Sequence, residues 1–167
     1  MKKILLICGL TATLFSCGSK TDTPEGTPQT DKDTVETLNE QFDQKLADKV
    51  GADEYGMKRY VMAFLKIGPN QDQDSAAAVQ LQRAHLDNIN RLVKEKKLIL
   101  AGPFLDDSNI RGIFIFNVET LEEAEALTNS DPAVKAGRLV MELHPWYGSA
   151  ALMECVDIHK KVSKTEI

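Results

Sequence analysis

Between Lys58 and Trp146 the spacing of apolar residues switches repeatedly between two periods, and that alternation is the tightest constraint on the fold. "KRYVMAFLKI" from Lys58 carries branched and aromatic residues on both faces, the pattern of a strand covered on two sides. "GPNQDQD" is a loop, after which Ser75 or Asp74 can cap a long helix running to about Lys97. "LILAGPF" from Leu98 is a second strand closed by Gly102-Pro103, "DDSN" turns the chain, and "RGIFIFNV" has the clearest β signal in the sequence. Thr120 and Glu123 fit a capping box opening "TLEEAEALTNS", with Leu121, Ala124 and Leu127 as its inward face. "DPAVKAG" is a turn with a short helical step, and "RLVMELHPW" is a fourth strand. The order strand–helix–strand–strand–helix–strand, with right-handed crossovers, predicts a ferredoxin-like α+β sandwich: a four-stranded antiparallel sheet with both helices on one face.

Such a sheet leaves its second face open, yet these strands are apolar on both sides. A large exposed apolar sheet is not tolerated in a soluble monomer. The face must therefore be covered, either by a second copy in a homodimer or by the segments that flank the domain.

Those flanks differ sharply in composition. Lys2 and Lys3 precede the apolar run Ile4 to Phe15, too short to span a bilayer as a permanent helix. A basic start, a greasy centre and small residues at the exit make an export signal over residues 1–16. Its exit, Leu14-Phe15-Ser16-Cys17, resembles the bacterial lipobox, in which cleavage exposes a cysteine that carries lipid. The expected partner of Cys17 is thus a membrane, and two or three acyl chains on one residue suffice for stable anchoring. The residue after it, Gly18, does not resemble the inner-membrane retention pattern, which points to the cell envelope and an outer-membrane lipoprotein facing the periplasm. Residues 17–34, rich in Thr, Asp, Pro and Gly, read as a disordered tether. Over residues 35–56, Val35, Leu38, Phe42, Leu46 and Val50 recur at helical spacing and Gly51 supplies a stop. The main domain then occupies 57–148, and the tail 149–167 is expected to be helical with Ser149 as its cap.

Cys8 leaves with the signal and Cys17 takes the lipid, so Cys155 stands alone and no internal disulfide can form. Losing Lys2 and Lys3 leaves 18 basic residues against 25 acidic, a charge of about −7. That balance excludes a nucleic-acid binder with the usual basic face.

Within "AVQLQRAHLDNINRLVKEKKL" from Ala78, Leu81, His85, Ile89 and Leu92 share one helix face. An ionisable ring stands in that stripe where a leucine would be expected. It is either a buried histidine with one satisfied hydrogen bond, or a base oriented by a carboxylate. Asp131 in "NSDPAV" is one candidate carboxylate, since Pro132 restricts it to extended geometry; the competing reading is a cap on the short turn Ala133 to Gly137. Asp106 and Asp107, after the second strand, and His144, at the end of the fourth, are candidates for a substrate-site rim. Their competing readings are solvated turn residues and an edge residue.

Other chemistries are poorly supported. There is no glycine-rich phosphate loop and no cysteine or histidine pairing with zinc spacing. A set of His85, His144 and a carboxylate is too unspecific to imply a metal, and no cofactor is expected. The serines lack a nucleophile-elbow context.

"RAHLDNINRLVKEKKLILAGPF" and "GIFIFNVETLEEAEALTNSDPAVKAGRLVMELHPW" together resemble the YciI-related (YCII) domain family over roughly Lys58 to Trp146. The shared features are a histidine in the first helix, "AGP" closing the second strand and an aspartate-proline after the second helix. The resemblance implies a ferredoxin-like fold of the dimeric α/β-barrel group, commonly paired sheet to sheet. It also implies a histidine–aspartate pair, here His85 and Asp131, proposed as catalytic. The wider group includes cofactor-independent isomerases, dehalogenating enzymes and monooxygenases. On that basis the chain is expected to be an acid/base enzyme acting on a small cyclic or phenolic substrate, of lyase or isomerase type. The alternative is an anchored small-molecule-binding or interaction module that catalyses nothing. This chain departs from the family pattern in its lipobox, tether, added helix and tail, which can occupy the surface a second copy would use.

The lipobox reading makes a direct prediction. Cys17→Ala should abolish incorporation of labelled fatty acid and shift the protein out of the membrane fraction, checked by palmitate labelling and fractionation.

Overall fold

The computed structural model describes residues 42–165. The export signal, Cys17, the tether and positions 35–41 of the expected first helix lie outside them. Helix α1 (Gln44–Val50) precedes β1 (Met57–Ile67), α2 (Ser75–Lys94), β2 (Leu98–Pro103) and β3 (Ile110–Phe116). Then follow α3 (Leu121–Thr128), α4 (Pro132–Lys135), β4 (Leu139–Ser149), a 3-10 turn (Ala150–Glu154) and α5 (Cys155–Val162). The strands form a four-stranded antiparallel sheet in the order β2-β3-β1-β4, the ferredoxin-like arrangement.

Strand alternation sorts the apolar side chains into two layers. Val61, Ala63 and Leu65 of β1 pack with Leu98, Phe114 and Phe116, and with Leu92 of α2 and Ala124 of α3. This is the principal core, between sheet and helices. Tyr60, Ile99 and Ile115 point to the opposite face, where Leu152 and Met153 of the 3-10 turn pack on them beside Met62, Leu100 and Trp146. The tail therefore supplies part of the cover that the two-sided strands require. Ser149 caps its first turn by accepting from Ala151 N at 3.3 Å, and Lys49 of α1 reaches Glu154 at 2.7 Å.

Several boundaries differ from the sequence expectation, each for a local reason. The helix expected from Val35 does not run unbroken to Val50. Asp43 is extended (φ −105°, ψ 97°) and its side chain accepts from Leu46 N, starting α1 afresh; Gly51 ends it at φ 68°. Helix α2 begins on the Asp74 cap, as the sequence allows. It stops at Lys94, not near Lys97, because Lys96 turns left-handed at φ 57°. Lys96 N donates to Val93 O at 3.0 Å and Lys97 N to Leu92 O at 2.9 Å, the paired bonds of a Schellman ending. Glycine usually marks that position, so a lysine there hides the stop from the sequence. In α3, Ala124 is buried but Leu121 is 40% exposed; it sits in the first turn, ahead of the part of the helix that meets the sheet, and Thr128 is buried instead. Strand β4 runs three residues past Trp146 because the early start of β1 offers Met57 to pair with Ser149.

The core makes a stability prediction. Leu92, 1% exposed, is expected to lose about 2–5 kcal/mol on Leu92→Ala, the cost of removing buried methylenes and leaving a cavity. Leu105→Ala, at a residue 98% exposed, should change stability by about 0.5 kcal/mol or less. Urea unfolding midpoints of the two variants check it.

Candidate functional site

His85 lies midway along α2 and faces the sheet, as its stripe requires. Its ring stacks on Phe114 of β3, with centroids 5.9 Å apart and planes inclined by 13°. Phe114 is held in turn by an edge contact with Phe116. This sandwich between helix and sheet sets the plane of the imidazole before any polar contact is considered.

The polar contact is a single short bond: His85 Nδ1 lies 2.7 Å from Asp131 Oδ2. Asp131 stands at the junction of α3 and α4 and is fully buried, while His85 is 7% exposed. Both readings of Asp131 from the sequence are realised in one side chain. Oδ1 caps α4, accepting from Ala133 N at 2.8 Å and Val134 N at 3.4 Å. Oδ2 holds His85 and also accepts from Asn88 Nδ2 at 3.2 Å. Pro132 at the first helical position suits this geometry, because it has no N–H to satisfy.

Burial alone would push the Asp131 carboxyl upward. The hydrogen bond and charge of His85, with the Ala133 N–H and the Asn88 amide, outweigh it and hold the carboxyl below the usual aspartate range. An ionised carboxylate can only accept, so Nδ1 must carry the ring proton. The neutral ring then presents a lone pair at Nε2. Among the described residues no group bonds to Nε2. Nε2 is therefore the ring nitrogen left free for a ligand, on a residue that is 7% exposed.

Three residues that the sequence reading did not single out complete the cluster. The Asn88 carboxamide accepts at Oδ1 from Arg91 Nη2 at 2.8 Å. Arg91 Nη2 also donates to Ser130 Oγ at 2.8 Å, and Ser130 passes its own proton to Leu127 O at 2.6 Å. Asn88 and Arg91 follow His85 at steps of three, so the helical spacing that exposed His85 was also their signal. Ser130 adjoins Asp131 in sequence, but only the fold shows that the two meet α2.

The expected rim is not assembled. His144 sits opposite Met62 in the β1–β4 register, on the sheet face away from the helices, where it bonds to Glu142 at 2.8 Å and meets the Phe64 ring edge. A side chain there cannot share a site with His85 across the sheet, which also dissolves the loose metal set of His85, His144 and a carboxylate. Asp106 accepts from Ser108 N at 3.1 Å in the loop after β2; Ser108 lowers its carboxyl, a turn-forming role. No hydrogen bond, ion pair or ring contact joins Asp106 or Asp107 to the pair. Among the described residues, no group of three or more His, Cys, Asp or Glu side chains could hold a metal ion.

A separate cleft of about 520 Å3 opens at the end of the sheet where β1 begins and β4 ends, lined in part by Arg59, Pro145 and Tyr147. Neither His85 nor Asp131 lines it.

Comparison with known proteins gives three findings. Residues 60–147 match the YCII-related domain family. The uncharacterized protein YjpA of Bacillus subtilis (strain 168) is 32% identical over 62 residues, spanning 37% of this chain and 71% of that protein. Among solved structures, the chain is similar to 5-chloro-2-hydroxyhydroquinone dehydrochlorinase (TftG) from Burkholderia phenoliruptrix AC1100, determined in complex with 2,5-dihydroxybenzoquinone. The likeness has a TM-score of 0.39 and 23% identity, covering 53% of this chain and 93% of that one.

The buried anion makes stability depend on pH with a definite sign. A carboxyl whose folded pKa lies below its unfolded value, about 3.9, contributes fully above that value and loses its contribution as pH falls through the folded one. The stability gap between the wild type and Asp131→Asn should therefore be widest at about pH 5 and above and close below about pH 4. Urea midpoints measured across that range check it.

Proposed function

The chain belongs to the YCII-related domain family, and on that premise we propose that it is a lipid-anchored, cofactor-independent enzyme that performs acid/base chemistry on a small cyclic or phenolic substrate. The observation that supports this most is the His85–Asp131 pair, in which one ring nitrogen is bound to a buried carboxylate and the other has no partner among the described residues. Those are the two properties a positioned general base requires. Nε2 takes a proton from the substrate, and the positive charge that forms on the ring is stabilised by the Asp131 anion at 2.7 Å. Nε2 then returns the proton to a different atom in an isomerisation, or to the departing group in an elimination. Asp131 stays ionised throughout; its part is to fix the tautomer and the ring plane, with Phe114 beneath.

The same proposal places the domain at the outer membrane, facing the periplasm, through lipid on Cys17. It also includes a homodimer in which a second copy covers the part of the sheet face around Met62, Phe64 and Ile113 that the tail leaves half-exposed.

The alternative, an anchored module that binds a small molecule or partner without turning it over, draws on the narrow opening at His85, 7% exposed, and on a cleft that lies elsewhere. Screening the full chain for turnover of small phenols, lactones and α-keto acids separates the two. An acid/base enzyme should lose about a hundredfold to ten-thousandfold of its rate in His85→Ala. The rate should also fall sharply in Asp131→Asn, where the ring keeps a hydrogen-bond partner but loses the anion. A compound converted equally fast by His85→Ala would overturn the role of the histidine, and binding without conversion of any compound would favour the module.

A further inference from the structure

The cleft at the end of the sheet has a chemistry of its own. Four positions along β1 separate Arg59 from Ala63, the residue paired with Phe114 under His85, so the two regions lie about 13 Å apart along the strand. Three charged residues line the cleft: Arg59, Asp53 and Glu119. Asp53 is already committed. Its Oδ1 accepts from Tyr55 N at 3.0 Å and Met57 N at 2.9 Å, and its Oδ2 accepts from the Tyr147 hydroxyl. That last bond pushes Tyr147 up to about 12, so the phenol stays neutral and its ring is pinned as a wall. The side chains of Arg59 and Glu119, in contrast, form no hydrogen bond or ion pair with any described residue. Pro145 adds apolar surface beside them, and Trp146 also borders the cleft.

An unpaired guanidinium and an unpaired carboxylate facing one concavity select for a ligand that carries both charges. A simple anion would meet Arg59 but also two carboxylates, and a simple cation would meet Arg59 as a repulsive neighbour. The planar guanidinium fork matches a carboxylate, and the Glu119 carboxylate accepts from an ammonium. The cleft volume lies in the range of small-molecule sites. We propose that this cleft binds a free α-amino acid with an apolar side chain, its carboxylate on Arg59, its ammonium on Glu119 and its side chain against Pro145 and the Tyr147 ring. The site is independent of the His85–Asp131 pair and does not rest on the catalytic reading.

Trp146 is the one tryptophan in the chain and borders the cleft, so its fluorescence serves as the readout. The experiment titrates the full chain with L-phenylalanine and L-leucine, with N-acetyl-L-phenylalanine and 2-phenylethylamine as probes that each lack one charge. A saturable change with the amino acids is expected, weakened about tenfold or more for either singly charged probe. Arg59→Ala and Glu119→Gln, both at exposed positions where folding is not at stake, should each weaken amino-acid binding by about tenfold. Absence of a saturable change with both amino acids up to about 10 mM, equal binding of a singly charged probe, or unaltered affinity in the two variants would each overturn the proposal.

Discussion

A single buried anion organises this domain. Removing a carboxylate from water costs several kcal/mol, and the loss is recovered only when its lone pairs are met by well-placed donors. Asp131 meets four: His85 Nδ1, Asn88 Nδ2 and the amides of Ala133 and Val134. The first two belong to α2 and the last two to α4. One side chain thereby fixes the distance between the long helix and the junction that leads into the edge strand β4. The helix-capping role and the histidine-holding role are complementary, since each oxygen serves one of them. A shift of α4 would move the carboxylate, and with it the only polar restraint that the described residues place on the His85 ring.

The sheet separates two chemical environments that a linear reading merges. On the helix side, His85 is stacked on Phe114 beside the core formed by Val61, Ala63 and Phe116. On the other side, the tail places Leu152 and Met153 over Tyr60, Ile99 and Ile115, and His144 stands near Glu142 and Phe64. Alternation along a strand is strict, so residues one step apart on β1 or β4 serve opposite faces. The tail's position also explains why the strands are apolar on both sides without leaving the whole second face in water.

Much of the architecture was legible because it rests on local periodicity. The six-element order, the Asp74 and Thr120 caps and the Gly51 stop all act within a few residues, where spacing and capping chemistry leave a direct trace. The errors were local as well. Lys96 adopts a conformation that the sequence advertises only through glycine, and Leu121 lies on the right face of its helix but ahead of the region that meets the sheet. The pairing of His85 with Asp131 was suggested by family resemblance, whereas Asn88, Arg91 and Ser130 entered only when two helices were seen side by side.

By itself the sequence determined which segments are helix or strand, that both faces of the sheet need cover, and that an ionisable ring sits in an apolar stripe. These follow from the repeat of side chains along one element, which is a property of neighbours in the chain. Only the tertiary structure decided that His85 meets Asp131, that His144 is cut off from them by the sheet, and that Arg59 and Glu119 face one cleft. Those outcomes depend on distances between residues far apart in the chain, and such distances exist only once the strands have taken their register and the helices have packed.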